Sequence, residues 1–143
     1  MSPDLMQFVQ TNVWLIMIAV VSGSMLIWPA IRRATGGAKE VGTLEATQLI
    51  NRRDALVLDV RDPAEYAAGH VPGAKHVPLA QLESRLKEFE KFKERPIVVT
   101  CASGHRSGAA LSTLRKGGFT EAVNLKGGVA AWEQANLPLE KKK

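Results

Sequence analysis

Hydrophobic and polar residues alternate differently in the two parts of the chain, beginning with a long uncharged stretch near the N-terminus. The run VWLIMIAVVSGSMLIWPAI, Val13–Ile31, has nineteen residues and no charged side chain. A helix of that length is about 28 Å long, close to the hydrocarbon thickness of a bilayer. Trp14 and Trp28 lie near its two ends, where indole rings favour the membrane interface. The pattern predicts one transmembrane helix, with the lipid bilayer as its partner.

The charges flanking this run predict its fate and orientation. Asp4 is the only charged side chain before it, and Arg32 and Arg33 follow directly. A cleaved signal peptide has positive charge before its apolar run, so we interpret the segment as a retained, single-pass anchor. Because Lys and Arg remain on the cytoplasmic side, we expect the N-terminus outside and the rest of the chain in the cytoplasm, at a bacterial-type inner (plasma) membrane.

The remaining chain is long enough for one modest domain. We predict a short N-terminal segment at 1–12, the transmembrane helix at 13–31, a glycine-containing linker at 32–41, and a folded domain with a basic tail at 42–143. Ala19 and Gly23 would lie on one face of the anchor helix, but this spacing alone does not predict a dimer.

Short apolar runs separated by helical patterns define the fold class of this domain. Ala55–Val60, Pro96–Thr100 and Ala122–Leu125 are almost wholly apolar, which is typical of strands covered on both faces of a parallel sheet. After the first run, Asp62 and Glu65 have the spacing of a capping box, which predicts a helix start. The alternation predicts an α/β domain with a mostly parallel sheet flanked by helices.

Charge and cysteine content limit the functional classes. The formal net charge is +5, but much of the excess lies beside the apolar run and in the terminal lysines 141–143. Basic and aromatic residues do not interleave as in proteins that bind single strands, so we expect no nucleic-acid partner. One cysteine permits no intramolecular disulfide, which agrees with a reducing compartment.

That cysteine, Cys101, directly follows the second apolar run. In parallel sheets, binding sites form at the carboxyl ends of the strands. The next residues, ASGHRSG, are small or cationic and lead into a helical pattern. A short loop entering a helix directs successive backbone N–H groups inward, which stabilises an anion such as a thiolate. A thiolate prepared in this way can attack an electrophilic sulfur. A buried structural cysteine would not explain these neighbours.

Three segments in the same order carry a family resemblance. LVLDVRDPAEYAAGHVPGAKHVPL, PIVVTCASGHRSGAAL and NLKGGVAAW resemble the successive motifs of single-domain rhodaneses, a family of rhodanese-like sulfurtransferases. The resemblance extends over about Val41–Leu137, nearly all of the predicted soluble part. It implies a five-stranded, mostly parallel sheet and a sulfur-transfer reaction that needs no cofactor.

The resemblance also implies roles for individual residues. Cys101 would attack the outer sulfur of a small donor such as thiosulfate, release sulfite and hold a persulfide. The acceptor would be cyanide or a thiol, such as glutathione or a thioredoxin-like protein. The residues expected to cradle the bound sulfur, with His105 and Arg106 nearest an anion, are Ala102, Ser103, Gly104, His105 and Arg106. Supporting roles are expected for Asp59, Arg61 and Ser107.

Two other functions are compatible with this fold. Rhodanese-like phosphatases and arsenate reductases have five residues between the cysteine and the arginine, whereas four separate Cys101 from Arg106. The smaller loop suits sulfur better than phosphate. The domain could also be a membrane-tethered binding or sulfur-relay module that recognises a membrane-protein partner. His70 and His76 lack further ligands nearby in the sequence, so we predict loop packing and no metal site.

Overall fold

The computed structural model describes residues 3–34 and 39–142. The chain divides into two compact units, Met1–Gly37 and Ala38–Lys143. These are called the N-terminal unit and the C-terminal unit below. Residues 35–38 of the predicted linker, and the last lysine of the basic tail, lie outside the described residues.

The N-terminal unit consists of two helices, α1 (Pro3–Thr11) and α2 (Val13–Ala34). Within α2, Val13–Ile31 has a mean hydropathy of 2.0, and none of its most apolar window is buried inside the structure. Large apolar side chains such as Leu26, which is 81% exposed, are therefore largely uncovered by protein. The helix is long and apolar enough to cross a bilayer.

The C-terminal unit alternates strands with helices. In chain order its elements are β1 (Glu40–Val41), α3 (Thr43–Arg53), β2 (Leu56–Asp59), α4 (Pro63–Ala68), β3 (Lys75–His76), α5 (Leu79–Arg85), a 3₁₀ helix (Leu86–Phe92), β4 (Ile97–Thr100), α6 (Arg106–Lys116), β5 (Ala122–Leu125) and α7 (Gly128–Gln134). The strands predicted from the three apolar runs are β2, β4 and β5, and all three are confirmed.

All five strands pair in parallel, in the order β1-β5-β4-β2-β3. The α/β class and the five-stranded parallel sheet flanked by helices are therefore confirmed. Strand β4 is the central strand, with β5 on one side and β2 on the other. A residue at the carboxyl end of β4 is consequently surrounded by the ends of its neighbours, where parallel sheets form binding sites.

Alternating side chains of β4 supply both halves of the core, because successive side chains of a strand point to opposite faces. Ile97 and Val99 pack with α5, the 3₁₀ helix and α6, and Cys101 belongs to the same cluster. Val98 packs in the second cluster, together with residues of α3 and α7 such as Trp132. Burial on both faces explains why the strand is continuously apolar.

The first strand lies in the segment that the sequence assigned to the linker. Glu40 pairs with Asn124 and Val41 with Leu125 of β5. Val41 is only 2% exposed and packs in the second core cluster. A two-residue strand has too short a pattern to be distinguished from a loop before its partner is known.

Candidate active site around Cys101

Cys101 lies directly after β4, and hydrogen bonds from the start of α7 hold its loop in place. The carbonyl oxygens of Cys101 and Ala102 accept hydrogen bonds from Val129 N at 2.8 Å and from Ala130 N at 3.2 Å. At Gly128, which has φ +61°, an added Cβ would lie 2.1 Å from the Cys101 oxygen. Only glycine permits this approach. With these carbonyls bound to α7, the loop leaves backbone N–H groups available for the sulfur.

The sulfur of Cys101 is surrounded by hydrogen-bond donors from its own loop. Gly104 N donates to Sγ at 2.9 Å, and the Ser107 hydroxyl oxygen lies 3.5 Å from it. Burial by itself raises the pKa of the thiol, but hydrogen bonds from the Ser107 side chain and from the amides of Ser107, Ser103 and Gly104 outweigh it. The net pKa of Cys101 is lowered, in the direction that the loop composition predicts.

The thiol is nevertheless covered. Cys101 is 1% exposed, whereas Ser103 and His105 of the same loop are exposed. Gly104, between them, has φ +96°, a left-handed conformation that glycine adopts without strain. Sγ is therefore covered by its own loop in this structure.

Arg106 contacts carboxylates instead of pointing an unpaired charge at the sulfur. Its guanidinium donates to both Glu65 oxygens, at 2.8 and 3.0 Å, and lies 3.6 Å from Asp62. Glu65 also accepts from Asp62 N at 3.0 Å, as expected for the capping box at the start of α4. The hydrogen bond from Arg106 holds the pKa of Glu65 below its ordinary value. The ion pair joins the start of α6 to the start of α4, two elements far apart in sequence.

Asp59 and Arg61 form a buried ion pair beside the loop. Arg61 Nη2 lies 2.7 Å from an Asp59 oxygen and also donates to the Gly69 carbonyl at 2.7 Å. Asp59 is the register partner of Thr100, so the pair lies one strand away from Cys101. Its hydrogen bonds join the end of β2 to the turn after α4. This arrangement fits the supporting role expected from the sequence.

Asn124 was not identified from the sequence. It is 2% exposed, and its oxygen accepts a hydrogen bond from the Ser107 hydroxyl. Its nitrogen donates to the Gly104 carbonyl at 3.3 Å. The side chain thus holds two of the residues that contact the sulfur, Gly104 and Ser107. The sequence does contain one indication, an amide side chain inside the otherwise apolar run AVNL. A polar group in a buried strand needs a hydrogen-bond partner, which marks it as a residue with a specific contact.

The two histidines of the turn region pack against an aromatic ring. His70 and His76 stack on Tyr66 with ring centroids 3.7 and 4.4 Å away. His76 Nε2 lies 2.8 Å from the Arg61 carbonyl oxygen. Within residues 3–34 and 39–142, no group of three or more His, Cys, Asp or Glu side chains is placed to hold a metal ion.

Comparison with known proteins agrees with this fold. The family profile of the Rhodanese-like domain matches residues 43–135. The uncharacterised protein YibN of Escherichia coli is 31% identical over 137 residues, covering 95% of this chain and 96% of the relative. The thiosulfate sulfurtransferase GlpE of Pseudoalteromonas translucida is 33% identical over 97 residues, covering 68% of this chain and 90% of the relative.

Solved structures show the same architecture. The crystal structure of a rhodanese-like domain protein from Staphylococcus aureus matches with a TM-score of 0.63 and 32% identity. The match covers 73% of this chain and 99% of that one.

Proposed function

The chain belongs to the rhodanese-like domain family, and from this premise we propose that it is a sulfurtransferase with Cys101 as its persulfide carrier. The observation that carries the proposal is the environment of Sγ. Gly104 N lies 2.9 Å away, further loop amides and Ser107 contribute, and the thiol pKa is lowered despite burial. A purely structural cysteine gains nothing from such donors, whereas a thiolate or a persulfide anion is stabilised by them.

The reaction proceeds in two displacements. The Cys101 thiolate attacks the outer sulfur of a donor such as thiosulfate, so an S–S bond forms at Sγ. The donor's own S–S bond breaks, and sulfite leaves with the electron pair. An acceptor thiolate or cyanide then attacks the outer sulfur, and the Cys101 thiolate is restored. Because the chain has no second cysteine, the sulfur leaves to an external acceptor such as glutathione or a thioredoxin-like protein.

The loop favours sulfur transfer over phosphoryl transfer. Four residues separate Cys101 from Arg106, which encloses a smaller space than the five-residue loop of rhodanese-like phosphatases. In addition, the Arg106 guanidinium is bound by Glu65 at 2.8 Å. An arginine committed to a carboxylate is a poor ligand for the oxygens of a tetrahedral phosphate.

We further propose that α2 anchors the enzyme in the membrane, with the C-terminal unit in the cytoplasm. The apolar span Val13–Ile31 and the following Arg32 and Arg33 support this orientation. A membrane-impermeant thiol reagent should leave Cys101 unlabelled in intact cells and label it after the membrane is permeabilised, which separates orientation from burial of the thiol. Labelling in unbroken cells would contradict the orientation.

The activity is tested with the full chain purified in detergent, by measuring thiocyanate formed from thiosulfate and cyanide. Cys101→Ser should abolish the reaction, because a serine hydroxyl cannot carry a sulfane sulfur. Ser112→Ala, at an exposed position of α6, is the matched control and should retain full activity. Thiocyanate formation by the Cys101→Ser variant would refute the proposed mechanism.

A further inference from the structure

A chain of hydrogen bonds runs from the surface of the C-terminal unit to the reactive sulfur. Glu40 of β1 is exposed, and its Oε1 accepts from Asn124 Nδ2 at 3.2 Å. Asn124 Oδ1 accepts from the Ser107 hydroxyl, and the Ser107 oxygen lies 3.5 Å from Cys101 Sγ. Glu40 and Asn124 are register partners on neighbouring strands, so the sheet itself keeps them adjacent.

Chemistry determines which way the Asn124 amide points. Its nitrogen faces the Glu40 carboxylate and, at 3.3 Å, the Gly104 carbonyl. A backbone carbonyl can only accept hydrogen bonds, and the same is true of an ionised carboxylate. The amide nitrogen must therefore face them, and the amide oxygen must face Ser107.

This orientation controls the proton of Ser107. A serine hydroxyl has one proton to donate, and here Asn124 Oδ1 and the Gly104 oxygen, at 2.9 Å, compete with Sγ for it. While the proton points to either oxygen, Ser107 presents only lone pairs to Sγ, and these cannot stabilise a thiolate. The Ser107 hydroxyl therefore lowers the pKa of Cys101 only when its proton turns to Sγ. The negative charge of Glu40 polarises the Asn124 amide, which makes Oδ1 a stronger competitor for the proton.

We propose that Glu40 is a positioning residue that restrains the reactivity of Cys101 by holding Asn124 and, through it, the Ser107 proton. Neutralising Glu40 weakens the hold of Asn124 Oδ1, and the Ser107 hydroxyl then turns towards the thiolate or persulfide anion. The inference rests on the proposed role of Cys101 as the sulfur carrier. It extends the site from the cysteine loop to Glu40 of β1.

The test is an ultraviolet titration of the thiolate in the full chain, with Cys101→Ser as the blank. Glu40→Gln should lower the midpoint by about half a pH unit, which is roughly threefold more thiolate at a pH below the midpoint. Glu40→Ala removes the same interaction and should shift the midpoint in the same direction. Glu45→Gln, an exposed carboxylate on α3, is the matched control and should leave the midpoint unchanged.

A second background separates positioning from simple charge repulsion. In Ser107→Ala there is no hydroxyl proton to redirect, so adding Glu40→Gln should have no further effect on the midpoint. An equal shift in both backgrounds would overturn the proposal, as would an unchanged or raised midpoint in Glu40→Gln. The titration uses no sulfur donor, so it tests the role of Glu40 independently of sulfur transfer. A failure to form thiocyanate would refute the proposed function without changing the measured midpoints.

Discussion

Replacing Gly104 by alanine perturbs a backbone amide that donates to the sulfur of Cys101. Gly104 has φ +96°, which costs an L-residue about 1–2 kcal/mol. The added Cβ would also lie 3.3 Å from Gly127 N, closer than ordinary van der Waals contact. Rotation of the peptide relieves both, and it moves Gly104 N away from its 2.9 Å hydrogen bond with Cys101 Sγ.

The expected size of the effect follows from that hydrogen bond. A hydrogen bond to a charged group contributes about 1.5–3 kcal/mol, and one pKa unit corresponds to about 1.4 kcal/mol. Loss of the Gly104 donor should therefore raise the pKa of Cys101 by about one to two units. At a pH below both midpoints, the thiolate fraction should fall by roughly tenfold to a hundredfold. The rate of sulfur transfer should fall by less, because a thiolate of higher pKa is intrinsically more nucleophilic.

The matched control is another glycine of the same region. At Gly108, in the first turn of α6, an added Cβ meets nothing within 4 Å. Gly108→Ala should stabilise the helix by about 0.5–1 kcal/mol and leave the thiol pKa unchanged. The assay is thiolate titration together with thiocyanate formation for both variants. A folded Gly104→Ala protein that keeps the wild-type pKa would refute the assignment of this amide as a principal donor.

Three further substitutions test the support of the site. Asp59→Asn leaves a buried guanidinium without its counter-charge and should lower the free energy of unfolding in urea by about 3 kcal/mol; an unchanged value would contradict a structural role. The pKa of Glu65 is lower in the folded protein than in the unfolded chain, where it is about 4.3. The ion pair with Arg106 therefore stabilises the fold fully above about pH 4.3, and this stabilisation is lost as the pH falls through the folded pKa. The stability difference between wild type and Glu65→Gln should accordingly disappear in acid; a constant difference would contradict it. Gly128→Ala places a Cβ 2.1 Å from a loop carbonyl and should lower the melting temperature far more than Gly73→Ala, which has φ +76° and no atom within 4 Å; equal losses would show that backbone strain alone is responsible.

Local patterns were sufficient to predict the parts of the fold that depend on sequence neighbours. The continuous apolar runs identified β2, β4 and β5, because strands buried on both faces need apolar side chains throughout. The spacing of Asp62 and Glu65 identified the start of α4, because the two residues bond each other within one turn. The position of Cys101 directly after an apolar run likewise placed it at the carboxyl end of a strand, where parallel sheets form binding sites.

The remaining features depend on contacts between distant segments. Strands β1 and β3 have two residues each, too few to show a period. The resemblance implied that His105 and Arg106 would lie nearest a bound anion, and the structure adds that the Arg106 guanidinium donates to Glu65, forty-one positions earlier. Asn124 could be recognised as part of the site only once β5 was placed beside β4. The amide within AVNL signals a buried polar group, but the partners of Asn124 and of Arg106 depend on how the fold brings distant segments together.

The central claim is that Cys101 carries sulfur, and intact-mass spectrometry of the full chain tests it most directly. After incubation with thiosulfate, the account predicts a mass gain of one sulfur atom, located at Cys101, absent from Cys101→Ser and removed by glutathione. No gain in the wild-type protein, or an equal gain in Cys101→Ser, would contradict it.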